Sequence, residues 1–211
     1  MGEHNEWSKY SNFDVSLRVP FIISVPKSDT LFKHIKPSKR FGKSYKKKTI
    51  KEFIELVDVF PTLIDLAGLP PLPICHQKTT QLVCTEGLSV KPLISKNLKK
   101  RPKWKSFVFS QYPRPSLQPQ QNSDQPILKD IKIMGYTMKG HYLRYTEWIA
   151  FDSKTLTQNW SQVFARELYF GRQQNYNFAE EKSLTILTNY LSDILRKGWR
   201  HQLAINNSTL N

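Results

Sequence analysis

The stretch Ile131-Lys132-Ile133-Met134-Gly135-Tyr136-Thr137-Met138, followed by Lys139-Gly140 and then Tyr142 through Phe151, decides how the second half of the chain folds. Ile131, Ile133 and Gly135 alternate with Lys132, Met134 and Tyr136, the period of a strand, and Tyr142–Phe151 resumes after a glycine-containing break. That pattern predicts a β-hairpin. Working outward, Ser106–Tyr112 alternates in part and Glu167-Leu168-Tyr169-Phe170 reads as a fourth, short strand. From about Glu180 to Trp199, Leu184, Leu187, Leu191, Ile194, Leu195 and Trp199 recur at helical spacing, with Gly198 marking the fraying end. Strands plus one amphipathic helix make a small α+β layer in which the helix covers one sheet face.

The first half has a different texture. Leu17-Arg18-Val19-Pro20-Phe21-Ile22-Ile23-Ser24-Val25-Pro26 is apolar and β-branched, as a strand buried on both faces of an α/β layer would be. Pro61 sits inside an otherwise helical pattern, and proline is tolerated only in a first turn. A helix is therefore expected with Asp58 as its N-cap, running through Val59, Leu63, Ile64 and Leu66 and stopping at Gly68, after a strand or tight turn. Residues 69–105 read as loop, with Thr85-Glu86-Gly87 and Val90, Pro92 and Leu93 packed beneath it.

Composition bounds the function. An apolar content of 39% and 12% aromatics belong to a folded protein. The net charge of +15 is localised: residues 33–51 carry nine basic groups without an acid, and residues 91–105 carry seven more. Setting these aside leaves the chain close to neutral, so the basicity belongs to two loops. They are either polyanion-binding segments or lysine-rich solvated insertions. Neither matches a zinc finger, a helix-turn-helix or an RNP signature, which disfavours nucleic acid. No run approaches the eighteen apolar residues of a membrane span.

Cys75 and Cys84 are spaced wrongly for a C-x-x-C pair and suitably for a small disulfide loop, with two unrelated thiols as the alternative. Closing such a loop stabilises by roughly 2.5–3 kcal/mol in the chain-entropy account. Asn159-Trp160-Ser161 and the overlapping sequons at Asn206 and Asn207 fit N-glycosylation acceptors. Together these favour an oxidising, secretory compartment.

Gly2-Glu3-His4-Asn5-Glu6-Trp7-Ser8-Lys9-Tyr10-Ser11-Asn12-Phe13-Asp14 concentrates carboxylates, a histidine, a lysine and aromatics as an anion-binding site does. Lys9 beside Tyr10 offers a compact cation and a hydroxyl to a sulfate, phosphate or carboxylate; His4 suits a proton donor or a supporting partner. Arg114, between Pro113 and Pro115, is aimed by a restricted backbone at an anion or at a structural carboxylate. Residues 1–20 contain no signal-peptide pattern, and the block leaves no room upstream for the scaffold such a site needs. The expectation is that the chain is the downstream part of something longer.

The blocks GEHNEWSKYSNFD, RVPFIISVP, ELVDVFPTLIDLAGLP, SQYPRPS, NSD, LKDIKIMGYTM, LRYTEWIAF, NWS and ELYF, in that order, resemble the C-terminal half of the iduronate-2-sulfatase branch of the type I sulfatases. The resemblance implies an alkaline-phosphatase-like α/β fold: residues 1–105 as a catalytic-domain remnant with a basic insertion at 27–51, residues 106–202 as the α+β subdomain, and 203–211 as a mobile tail. It further implies hydrolysis of 2-O-sulfate esters of uronic acids in heparan or dermatan sulfate, in a lysosome or the secretory pathway. The alternative reading is a non-enzymatic protein that binds sulfated glycosaminoglycan.

In that family a formylglycine, made from the cysteine of C-x-P-S-R, attacks beside a Ca²⁺ ion. Lys9 matches the lysine that contacts sulfate, where its charge would offset the transferring group; Tyr10 matches a residue near the uronate, and Arg114 an arginine that keeps subdomains in register. Neither Cys75 nor Cys84 lies in C-x-P-S-R, and the aspartates of the metal site are missing, so no metal ligand is assigned here and the Ca²⁺ ligands are expected upstream, in the missing N-terminal half. Gln125 stands where relatives carry a lysine for the uronate carboxylate, a change that weakens a charge-assisted contact.

Overall fold

The computed structural model describes residues 2, 4, 10–24, 49–75, 83–94, 103–118, 125–171 and 174–207, the last six by backbone alone. Most of both basic runs, Lys9 and the Asn122-Ser123-Asp124 segment lie outside the described residues. The chain divides into two compact units: Met1–Pro20 with Ser106–His201, and Phe21–Lys105 with Gln202–Asn211. The N-terminal block is therefore part of the same unit as the C-terminal sheet.

The first unit is built on a four-stranded antiparallel sheet in the order β1-β2-β3-β4: Val108–Arg114, Ile133–Lys139, Leu143–Asp152 and Thr157–Phe170. The expected hairpin is β2–β3, with Met138 opposite Tyr145 and Gly135 opposite Trp148. Helix α4, Thr185–Asn207, lays Leu191 and Leu195 against Met138, Tyr145 and Leu168 to close the core. Burying such side chains stabilises by about 1.5–3 kcal/mol each. Gly198, at φ 71° and ψ −174°, breaks the helical path. A left-handed φ costs glycine nothing, so the chain turns there without strain. Backbone helix nonetheless continues to Asn207, into the segment expected as a tail.

Three expectations are corrected. β4 runs for 14 residues, not the four of Glu167–Phe170, and Asn159 lies within it opposite Ala150. Its early residues are exposed, and they pair with β3 through bulges, so no buried face marked them in the sequence. β1 extends to Arg114 and includes Pro113, which its edge position tolerates because no neighbour needs that missing N–H. Arg114 thus ends a strand instead of riding on a loop.

Of the stretch expected as a buried strand, the described residues 17–24 do not form one. Asp14–Leu17 form one helical turn, α1, and residues 18–24 are irregular, with Ile22 89% exposed. A central strand needs neighbours on both sides, and among the described residues none lies beside it.

In the second unit the helix expected at Asp58 is α2, Val59–Leu66, entered through a 3₁₀ turn at Leu56–Asp58 in which Glu55 and Asp58 form a capping box. Asp58 is fully buried, and its carboxylate is the hub of the unit. Its oxygens accept from Lys105 Nζ at 2.6 and 2.8 Å, from the Leu88 amide at 2.7 Å and from the Glu55 amide at 2.9 Å. Thr85, Val90 and Leu93 are buried as expected; Leu93 belongs to a short helix, α3, Lys91–Ile94, and Pro92 within it is exposed. Cys75 and Cys84 form a disulfide with Cα atoms 5.0 Å apart, beside an isolated parallel bridge between Ile74 and Thr85.

Candidate functional site

The pleat of β3 sends alternate side chains to opposite faces. Tyr145 and Glu147 turn toward α4, while Arg144, Thr146 and Trp148 turn toward the face on which the N-terminal block lies.

That block is fastened by named contacts. Asn12, buried, donates through Nδ2 to the Gly135 carbonyl at 3.0 Å and accepts from Ser110 Oγ at 3.0 Å. Asp14 pairs with Lys139 Nζ at 2.9 Å. Phe13 stacks on one side against His4, with centroids 3.9 Å apart and planes at 8°, and on the other against the Arg144 guanidinium at 4.2 Å.

Arg144 itself stands over both the Phe13 and the Tyr169 ring, the latter at 4.5 Å, and the two rings touch each other with centroids 5.8 Å apart and planes at 59°. Its Nη2 donates to Glu167 at 3.1 Å and its Nη1 to Thr146 Oγ1 at 3.2 Å. Burial lowers its pKa, and the charge of Glu167 acts in the opposite direction. Glu167 is shared: its second oxygen accepts from the Trp148 indole N–H at 2.7 Å.

Trp148 in turn lies across Gly135, where an added Cβ would stand 2.6 Å from the ring. Only glycine allows that approach. Arg114 is exposed, with its guanidinium 4.4 Å from the Trp148 ring, so a cation–π contact takes the place of the expected carboxylate partner. Among the described residues no acid pairs with it. A shallow open cleft of about 190 Å³ runs past Arg114, Leu117, Ile133, Trp148, Ala165 and Glu167.

Two residues singled out from sequence for substrate binding are brought together: Gln125 Nε2 donates to the Tyr10 hydroxyl across 115 positions of sequence. Both stand at the surface end of the block, Gln125 exposed and Tyr10 half-buried. His4 belongs to the same block through Phe13. Asn159 is exposed, its side-chain oxygen accepting from the Ser161 amide at 3.1 Å.

The opposite face holds a second ionic centre. Glu147 is fully buried and accepts from Tyr145 at 2.8 Å, Arg166 at 3.2 Å and Arg196 of α4 at 3.3 Å. Burial pushes its pKa up. Hydrogen bonds from Ser192, Tyr145 and Arg166, and the charge of Arg196, outweigh that and hold it below the ordinary carboxylate value.

No protein-family profile matches the chain. It is 39% identical over 186 residues to the iduronate 2-sulfatases of mouse and human, a match covering 81% of this chain. The chain is a relative of the iduronate 2-sulfatases. It spans about a third of their length, 34%, and the likeness is to their C-terminal portion.

Seen as a sulfatase relative, the chain shows what it does not hold. Both cysteines are consumed in the disulfide, so neither is a free thiol for conversion to a formylglycine. Among the described residues no cluster of three His, Cys, Asp or Glu side chains fits a metal ion. Buried Asp58 and Glu147 are saturated by cations and amide donors, and Glu167 by Arg144 and Trp148. These residues do not fit a Ca²⁺ site, and no chemical step is assigned to one here. No described helix is long and apolar enough to cross a membrane.

Sequence reasoning missed Asn12, Arg144, Trp148 and Glu167. One signal was available: Arg144 and Glu147 interrupt the apolar strand Leu143–Ile149, and charges inside such a run must be paired once buried.

Proposed function

We propose that this chain is the sugar- and sulfate-binding wall of a sulfatase that hydrolyses 2-O-sulfate esters of uronic acids in heparan and dermatan sulfate. The 39% identity to iduronate 2-sulfatases, which takes in most of the chain, carries this reading. Lys9 would meet the sulfate. Tyr10 and Gln125, already in hydrogen-bond contact, would meet the sugar, and His4 would act beside them. Arg114, free of any described acid, is available to an anion or to a carboxylate of the rest of the enzyme.

On this proposal the nucleophile and the Ca²⁺ ligands belong to an N-terminal sulfatase part that is this chain's partner, and the fold completed by the two is of the alkaline-phosphatase-like α/β type. The second unit leaves a place for such a partner. Leu56, Phe60 and Leu63, at helical spacing on α2 and the turn before it, are 66%, 49% and 58% exposed. A contiguous exposed apolar stripe of this kind marks an interaction surface. The Cys75–Cys84 disulfide and the exposed sequon at Asn159 agree with glycosylation in a secretory or lysosomal compartment.

The glycosaminoglycan-binding alternative loses part of its support. Lys91 and Lys105, two members of the second basic run, are engaged by Asp65 at 2.7 Å and Asp58 at 2.6 Å.

Calorimetric titration of the purified chain with a 2-O-sulfated uronate disaccharide, with parallel measurement of sulfate release, tests the proposal. Binding without release is expected, and Lys9→Ala should weaken binding by roughly ten- to hundred-fold, the worth of a hydrogen bond to a charged group. Sulfate release by residues 1–211 alone, or an affinity indifferent to Lys9→Ala, would overturn it.

A further inference from the structure

Arg144 is one of the residues that connect the block to the sheet, and no bond joins it to Tyr10, Gln125 or Arg114, the described residues proposed to meet a ligand. It is 1% exposed, near the start of the long central strand β3. Burying a guanidinium is costly, and burial already pulls against its charged form. A residue kept charged there must be doing what an apolar side chain cannot.

Its geometry shows what that is. The guanidinium stands over the corner where the Phe13 and Tyr169 rings meet, 4.2 and 4.5 Å from their centroids, which are 5.8 Å apart with planes at 59°, while its nitrogens reach Glu167 at 3.1 Å, Thr146 at 3.2 Å and, more distantly, the Asn12 carbonyl at 3.4 Å. Tyr169, Glu167 and Thr146 belong to the sheet; Phe13 and Asn12 arrive from far earlier in the chain, Asn12 from 132 positions before Arg144. A guanidinium, whose charge both rings attract and whose fork of donors reaches several acceptors, joins both sets at once. A lysine would keep the charge and lose the fork of donors.

Two residues before Asn12 stands Tyr10, in contact with Gln125. Downstream, the amides of Ser16 and Leu17 bond to the Phe13 carbonyl at 2.9 and 3.1 Å, and Arg18 to that of Asp14 at 2.9 Å. The Phe13 clamp therefore lies between the Tyr10–Gln125 pair and α1.

We propose that Arg144 is a positioning residue: by clamping Phe13 against Tyr169 it sets where Tyr10 and the rest of the N-terminal block stand on the sheet. The ligand-binding consequence rests on the sulfatase reading above; the structural consequence does not.

Amide hydrogen exchange on the full chain carrying Arg144→Lys separates positioning from general stability. The amides of Ser16, Leu17 and Arg18 should exchange faster by on the order of tenfold, while those of Met138, Tyr145 and Leu191 keep their protection. Phe13→Leu, which removes one wall of the clamp and leaves the sheet arginine in place, should give the same local pattern should Arg144→Lys fail to fold. Protection lost equally across sheet and α4 in the Phe13→Leu chain, or unchanged exchange at residues 16–18, overturns the proposal. In the same chains the affinity for the 2-O-sulfated uronate disaccharide should fall, with little further loss when Tyr10→Phe is added, because displaced and absent hydroxyls are equivalent. A wild-type chain that ignores the disaccharide refutes the sulfatase reading, and the exchange pattern then decides for Arg144 alone.

Discussion

Lys105→Met tests the strongest single interaction in the second unit. Lys105 and Asp58 have 2% and 0% of their side chains exposed, and Nζ lies 2.6 and 2.8 Å from the two carboxylate oxygens. Methionine fills nearly the same volume, so the substitution removes charge and donors with little change in packing. It strands a carboxylate that retains only the amides of Leu88 and Glu55. Removing one partner of a buried pair costs about 3–5 kcal/mol. Each kcal/mol moves the thermal midpoint of a domain this size by about 4–8 °C, so a fall of at least about 12 °C is expected. Trp104, adjacent in sequence and donating its indole N–H to the Phe53 carbonyl, reports on this unit by fluorescence. Adding Asp58→Asn should recover part of the loss, since the stranded charge disappears. A shift worth under about 1 kcal/mol for Lys105→Met would place the pair among surface ion pairs and refute the argument.

Glu147 gives the sheet unit a pH signature. Its folded pKa is depressed, so its contribution is complete above the unfolded glutamate value of about 4.3 and is lost as pH falls through the lower folded value. Urea unfolding should find Glu147→Gln less stable than the parent at pH 7, with the two curves converging in acid; a gap that stays constant down to the lowest pH would count against the assignment. Gly135→Ala places a Cβ 2.6 Å from the Trp148 ring and should cost about 1–3 kcal/mol by overpacking, read as a lowered melting temperature that Gly135→Ala combined with Trp148→Leu largely restores.

The elements legible in the sequence were those whose signals are local. Asp58 and Gly68 bracketed α2, Pro61 fixed where its first turn must be, and the alternation of Ile131–Met138 announced β2. Signals failed where the decisive neighbour is remote. Residues 18–24 have the composition of a buried strand, but composition expresses only what would be stable if sheet neighbours were present. The early residues of β4 are mostly polar because they are exposed at an edge, so nothing in them alternates.

The same reasoning explains why half of the candidate site was invisible. Lys9, Tyr10 and Gln125 announce themselves as exposed polar types, whereas Arg144 and Glu147 read as ordinary surface charges in a strand until their partners are known. Those partners come from opposite directions. Arg144 faces Phe13 and Glu167, while Glu147, three positions on and therefore across the pleat, faces Arg166 and Arg196. One strand thus fastens the N-terminal block on one side and α4 on the other, each through a buried charge whose removal would strand its partner. Packing alone would let either element slide, because apolar contact is non-directional. A guanidinium held against two rings and a carboxylate held by two arginines fix position as well as burial, and that is why the chain keeps charges where leucine would have filled the space.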